Sequence, residues 1–282
     1  MDLPVLQAVH IHPVKSLAAY ARSEAAVEPW GLDGDRRWMV VDSADKVVTQ
    51  RQRARMALIS ARPLPGGGIE LSAPGDAPLT VRVPAPGRTV AVHLFKQKIE
   101  VVEASGDAHA WLGAHLGTDV RLVHLDAPAH RRLIPPEHSR LLDPAHARPG
   151  ETVSLADEFP LLLTSVASLD ALNALIAQGE HPHEGPLPMN RFRPNVVVAG
   201  TPAWAEDDWR RISVGEVSFR VVKSCGRCAI TTTDQATAER GKEPLRTLAR
   251  HRRSGTQLLF GRHLIPDTAG VIRVGDPVRV LG

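Results

Sequence analysis

A mainly β chain with a few helices, arranged as a barrel or sandwich, is the fold class this sequence predicts. Three observations predict it. Short runs of alternating or β-branched apolar residues recur along most of the chain. Glycine and proline punctuate them, 22 and 23 times in 282 residues. Two or three segments carry the 3.6-residue apolar period of a helix. At this length two domains, or one large β-rich one, are expected. A hydrophobic fraction of 43% supplies enough apolar surface for a core without disulfide staples.

The elements follow in order. Val5, Val9 and Ile11 alternate with polar neighbours, and Pro13 ends that strand. Trp38 to Asp42 is a compact apolar run, and Val47 to Thr49 follows it across a hairpin loop at Ser43–Lys46. Ile69 to Leu71, Leu79 to Val83, Val90 to Phe95 and Ile99 to Glu103 are further short strands. A helix is predicted after Asp107 as N-cap, with Trp111, Leu112 and Leu116 on its apolar face and Gly117 as C-cap. Val120 to His124 returns to strand. Ala127 to Gly150, rich in proline, histidine and arginine, fits no period and reads as an inter-domain connection or a loop over a cleft. Leu161 to Leu163 restarts the β pattern. Ser165 or Ser168 then caps a helix with Leu169, Leu172, Leu175 and Ile176 on one face. Val196 to Ala199 and Val217 to Lys223 are strands, Pro244 opens a short helix, and Ile272 to Val280 is a hairpin about Gly275-Asp276.

Composition removes several functional classes. Lys and Arg number 34 against 31 Asp and Glu, so no nucleic-acid polymer is expected as partner. That conclusion is strengthened by an aromatic content of 4%, too sparse for base-stacking platforms. No apolar stretch is long enough for a membrane span, and no signal peptide is apparent, so no membrane partner and a cytoplasmic location are expected. Two cysteines cannot build a disulfide framework and suit a reducing compartment.

The densest chemistry lies in Lys223-Ser-Cys-Gly-Arg-Cys-Ala-Ile-Thr-Thr-Thr-Asp234. Lys223 and Arg227 make an electropositive setting that favours thiolate at Cys225 and Cys228. On spacing alone several readings stay open. Zinc needs two more ligands, and no paired histidines stand near. A thioredoxin-like dithiol needs a helix after the first cysteine, which the threonines disfavour. Two inert buried cysteines are the remaining reading. Other clusters are Pro13-Val-Lys-Ser16, Asp35-Arg-Arg-Trp38 and Arg191-Phe-Arg-Pro-Asn195. In the first, Lys15 and Ser16 follow a strand end and suit a phosphate. Of Arg36 and Arg37, alternation lets one face inward. Pro194 imposes an extended approach that sets Arg193 and Asn195 on a shared face.

Together these runs, with Thr49-Gln-Arg-Gln52, Glu243-Pro-Leu-Arg-Thr-Leu248 and Gly275-Asp-Pro-Val278, resemble the MOSC-domain family over nearly the whole chain. The resemblance is to its branch with an N-terminal MOSC β-barrel domain, which includes amidoxime-reducing and hydroxylaminopurine-detoxifying proteins. It implies a smaller N-terminal β-barrel-like domain over 1–126 and a MOSC β-barrel domain over 127–282. It implies a molybdenum–molybdopterin cofactor between them, with the metal on Cys228, which is then the catalytic residue. Lys15, Ser16, Arg36, Arg193, Asn195 and Arg227 fall on the cofactor-binding positions; pyridoxal phosphate is not expected. Cys225 is then structural or supports the site without binding metal. Asp157-Glu-Phe-Pro160 matches only loosely a segment whose backbone touches the cofactor. His263 stands where a relative has an aromatic residue, and is read as an ordinary polar residue.

The function so implied is reduction of small N-hydroxylated substrates such as hydroxylamines, amidoximes and N-hydroxylated bases. Without cysteines for an iron–sulfur cluster, the electrons must come from a separate ferredoxin- or flavin-type donor. The Ala127–Gly150 segment is a candidate docking surface for that donor, although charges that are merely solvated are the better reading of it. A carrier or sulfur-delivery protein for the cofactor is the alternative function.

Overall fold

The alternation at the start of the chain does form a strand, Val5–Ile11, but with an irregularity that matters. Its register against Val196–Ala199 shifts between Leu6 and Ala8. That bulge puts Leu6 and Val9, three positions apart, on the same buried face. The computed structural model describes residues 3–131, 148 and 150–282. Most of the Ala127–Gly150 segment, including the docking surface expected there, lies outside the described residues.

Seven strands make a barrel. Val5–Ile11 pairs antiparallel with Val196–Ala199, which runs parallel to Leu161–Ser165. Gln257–Pro266, Val217–Gly226, Arg211–Val214 and Val278–Val280 then follow, each antiparallel to the last. The two ends of this series meet. Val5 bridges Pro277, the Leu6 N–H donates to Asp276 O at 2.8 Å, and the Val278 N–H donates to Pro4 O at 2.7 Å. Closure removes the exposed edges that an open sheet would leave. The Gly275-Asp-Pro-Val278 run is thus the clasp of the barrel.

Leu163, Val198, Phe219, Val221 and Leu264 fill the barrel together with Leu6 and Val9. The one parallel pairing needs a crossover. It is supplied by the helix Val166–Ala177, whose first turn Ser165 caps by accepting from the Ser168 N–H at 3.4 Å. Leu169, Leu172 and Ile176 of that helix pack on Phe192, Leu248 and Phe260. Leu175, expected on the same face, is only half-buried.

Most of the first half forms separate sheets. Trp38–Asp42, Val120–His124, Gln97–Glu103 and Thr89–Leu94 make one; Ser60–Pro63, Ile69–Ser72 and Leu79–Val81 make another. The helix Gly106–Leu116 buries Ala108, Leu112 and Leu116 against them. Gly117 ends it at φ 65°, as predicted, but Ser105 rather than Asp107 is the N-cap. The chain is mainly β, as the sequence predicted. Because Val5–Ile11 and Tyr20–Arg22 belong to the large sheet, that sheet draws strands from both sides of residue 126. No helix among the described residues is long and apolar enough to cross a membrane.

Two local expectations fail. Val47–Thr49 makes a single bridge, Val41 to Val47, and no strand. The C-terminal hairpin does not form. Gly270–Arg273 pairs with Glu24–Glu28, and Val278–Val280 with Arg211–Val214. The intervening turn is held by Leu6, since the Gly275 N–H donates to Leu6 O at 2.8 Å. It therefore joins two different sheets.

Gly261, in the strand Gln257–Pro266, has φ 80°, and a Cβ there would lie 2.7 Å from Leu163 O. Left-handed strain and overpacking together predict that Gly261→Ala costs about 2 kcal/mol or more. The measurement is urea unfolding. The midpoint should drop without a change in slope, and an unchanged midpoint would contradict so close an approach.

Candidate functional site

Three backbone turns with positive φ at non-glycine residues carry the predicted cations inward. Ser16, Arg36 and Arg193 have φ of 67°, 49° and 55°. This conformation costs an L residue on the order of 1 kcal/mol, and it persists where surrounding contacts over-determine it. Here they do. The Lys15 N–H donates to Trp38 O at 2.8 Å, the Trp38 N–H to Pro13 O at 3.0 Å, and the Arg36 N–H to His12 O at 2.9 Å. The runs Pro13–Ser16 and Asp35–Trp38 are thereby locked side by side. Asp35, buried beside them, accepts from the His12 N–H at 2.7 Å and pairs with Arg36. Arg37 leaves this cluster and donates to Leu125 O and Asp126 O, so one of the two arginines faces inward, as alternation required.

Asn195 joins the halves. Its Oδ1 accepts from Arg36 Nη1 at 2.9 Å and from the Leu162 N–H at 3.2 Å, while its Nδ2 donates to His10 O at 3.1 Å. Arg193 Nη1 donates to Leu17 O at 2.7 Å. Arg191, next in the same run, holds Thr232 O and Asp234. The Arg191–Asn195 and Thr231–Asp234 runs thus brace each other.

The result is a cavity of about 190 Å³ lined by Lys15, Ser16, Arg36, Arg193, Asn195, Arg227 and Cys228. Every residue singled out for the site from sequence lies on this one wall. Five cationic side chains, including Arg51, face two carboxylates, Asp157 and Glu158, so the cavity favours an anion. Burial, and then the Arg36 guanidinium, bring Arg193 down to about 9. It still carries its charge at neutral pH, and a bound anion would relieve the repulsion. Arg51 Nη1 and Arg227 Nε are buried and make no hydrogen bond within the protein.

Each thiol has its own arginine. Arg51 Nη2 lies 3.3 Å from the half-buried Cys228 Sγ, and Arg227 Nη1 lies 2.8 Å from the buried Cys225 Sγ. Cys225 sits in the strand Val217–Gly226, and Cys228 opens a single 3-10 turn, Ala229–Thr232. Neither geometry is the helix start a thioredoxin-like dithiol needs. Among the described residues no three His, Cys, Asp or Glu side chains are arranged to hold a metal ion, which removes a four-ligand zinc site there. A half-buried thiol, Cys228, beside a cationic cavity remains.

Two family models divide the chain. The MOSC N-terminal beta barrel domain matches residues 3–119 and the MOSC domain matches 150–279. This chain belongs to the MOSC family. Mitochondrial amidoxime-reducing component 1 of Xenopus laevis is 33% identical over 285 residues, covering 95% of this chain and 79% of that protein. The human protein of the same name is 34% identical, covering 96% and 81%. A molybdenum cofactor sulfurase of Danio rerio is 30% identical; the match covers 92% of this chain but 31% of that longer protein.

The residues present suit the cofactor this family implies. Convergent lysine and arginine match the phosphate of a pterin, two buried guanidinium nitrogens have no partner in the protein, and a thiolate is a soft ligand for the metal.

Three features of the wall carried weaker signals in the sequence. Arg51 was visible as part of Thr49-Gln-Arg-Gln52 but was not singled out. It is presented by a locked turn, in which Gln52 Oε1 accepts from the Thr49 N–H and Oγ1, and Gln50 Nε2 donates to Ser16 O. Asp157 ties Lys15 and Arg51 together, although its run matched the family only loosely. His263 was read as an ordinary polar loop residue, but it is buried in a strand on the cavity wall.

Asn195→Ala removes three hydrogen bonds at a buried position and leaves Arg36 and the Leu162 N–H short of an acceptor. A loss of about 2–3 kcal/mol is expected, read by urea unfolding. A loss under about 0.5 kcal/mol, the size of an ordinary surface substitution, would show that these bonds do not join the halves.

Proposed function

We propose that this chain is a molybdenum-cofactor-dependent oxidoreductase that reduces N-hydroxylated compounds to amines, taking electrons from a separate ferredoxin- or flavin-type donor. One observation carries the reading: a thiol, Cys228, at the wall of a cavity crowded with cations, in a chain about a third identical to amidoxime-reducing components. Lys15, Arg36, Arg193 and Arg227 would hold the anionic end of the cofactor, and Cys228 its metal. When bound, the cofactor supplies the electron pair that breaks the N–O bond.

The protein's own part is positioning and charge. The Ser16, Arg36 and Arg193 turns fix the cations before anything binds, so little ordering is left to do at binding. Arg51, 3.3 Å from Cys228 Sγ and paired with Asp157, keeps a cation beside the sulfur that would bind the metal. Asn195 keeps Arg36 pointed at the cavity. The cytoplasm is the proposed location.

The resemblance to a cofactor sulfurase keeps a carrier role in view, and one experiment separates the two. Protein loaded with cofactor should reduce benzamidoxime with an artificial one-electron donor. Absence of turnover, together with transfer of cofactor to an apo-enzyme, would replace reductase by carrier. Cys228→Ala should lose molybdenum by elemental analysis while keeping its fold; full retention of metal would sink the assignment of that sulfur. Arg193→Ala should weaken cofactor retention by about 10–100-fold, the value of a charge-assisted hydrogen bond of about 1.5–3 kcal/mol. Unchanged retention would show that Arg193 does not meet the anion.

A further inference from the structure

Cys225, His263 and Glu158 stand together in the cavity wall, and the metal-binding role given to Cys228 uses none of them. His263 lies in the strand Gln257–Pro266, opposite Lys223 in the neighbouring strand, with Cys225 two positions further along that neighbour. His263 Nε2 is 3.3 Å from Glu158 Oε2, and Lys223 Nζ anchors the same carboxylate at 3.2 Å. The Phe159 ring packs 5.1 Å from the imidazole. On its other strand neighbour His263 meets Leu162, which adds no charge. The buried Nδ1 completes no well-formed hydrogen bond in the protein. His263 is 10% exposed in its side chain and Glu158 30%, so the carboxylate reaches solvent while the imidazole reaches the cavity.

The charges form a set. Burial alone would raise the Cys225 thiol, but Arg227 and His263 outweigh it and bring the thiol to about 7. Burial would lower His263, but Cys225 and then Glu158 outweigh it and push the imidazole up to about 9. Between those values the thiolate and imidazolium exist together. Lys223 and Arg227, the cations nearest the set, are bound to Glu158 and Cys225 respectively, so each supports an anion of the set.

We infer that Cys225, His263 and Glu158 form a proton-holding site in the cavity wall, in which His263 protonates the oxygen leaving the substrate nitrogen. The inference rests on the proposed reductase reading. Its net reaction is R–NH–OH plus two electrons and two protons giving R–NH₂ and water. The electrons come from the ferredoxin- or flavin-type donor. One proton comes from His263, which is recharged from solvent along Glu158, and the second comes from solvent. Cys225 holds the imidazolium in place of metal, which accounts for a second thiol in the run.

Two measurements test this. The chain has two cysteines, so Cys228→Ser leaves Cys225 as its one thiol, and iodoacetamide alkylation against pH then reports on Cys225. Adding His263→Gln should move the alkylation midpoint up toward the ordinary thiol range and slow alkylation at pH 7 about tenfold. An unmoved midpoint overturns the pair. In the cofactor-loaded enzyme with intact Cys228, His263→Gln should lower kcat for benzamidoxime about 100-fold with KM little changed, and should abolish the fall in rate above about pH 9. A kcat within twofold of the parent overturns the acid role. Glu158→Gln, at a partly exposed side chain, removes an anion that raises both groups. It should move the alkylation midpoint down, bring the high-pH fall in rate to lower pH and lower kcat by a smaller factor. It serves if His263→Gln does not fold, an unmoved rate profile then overturning the acid role. Should the parent enzyme show no turnover, the reductase reading and the acid role fall together, while the alkylation shift still decides whether the proton-holding pair exists.

Discussion

Guanidinium groups crowded at one wall are the constraint around which this molecule is organised. Arg36 lies close enough to Arg193 to add to the effect of burial in loosening its hold on its proton, and Arg227 acts on it the same way. Left to themselves such charges would turn to solvent. They stay because each is tied to a fixed acceptor: Asp35 and Asn195 for Arg36, Leu17 O for Arg193, Phe192 O and Cys225 for Arg227. Those acceptors come from four separate parts of the chain, so the cluster exists only in the folded state. The unsettled positive charge is the physical basis for an anionic ligand there.

The barrel makes this arrangement possible. Closing Val5–Ile11 onto both Val196–Ala199 and the Asp276–Val278 clasp brings residues 10–16 beside residues 191–195. Asn195 then spends both ends of its amide and its backbone on that junction. Its N–H donates to Leu162 O, and its carbonyl accepts from the His10 N–H. The residue is as much a rivet of the fold as a lining of the cavity. Three left-handed turns at side-chain-bearing residues are the strain that this rigidity sustains.

The two cysteines illustrate how neighbours in a motif acquire different work. Cys228 is half-buried and meets Arg51 and, through it, Asp157. Cys225 is buried and belongs to Arg227 and His263. The intervening glycine and arginine turn the chain out of the strand Val217–Gly226, so the thiols leave it in distinct environments. Spacing alone treats them as equivalent, which is why a zinc pair and a dithiol had to stay open at the level of sequence.

Strand periodicity and local turn residues belong to neighbouring positions, and there the sequence was decisive by itself. It placed Val5–Ile11, Trp38–Asp42 and Val120–His124 and narrowed the helix cap to Ser165 or Ser168, and the family resemblance carried by the joint motifs pointed to Lys15, Ser16, Arg36, Arg193, Asn195, Arg227 and Cys228, which line a single cavity. What it left undecided depended on partners distant in the chain. The Gly275-Asp276 turn read as a hairpin because hairpins and inter-sheet corners share the same turn chemistry, and only Leu6 distinguishes them. Arg51 was not singled out, and His263 looked like an ordinary polar residue, because their importance comes from Cys228, Cys225 and Glu158, which lie about 40 to 180 positions away. Burial and charge coupling are properties of neighbours in space, and the tertiary structure alone chooses those neighbours.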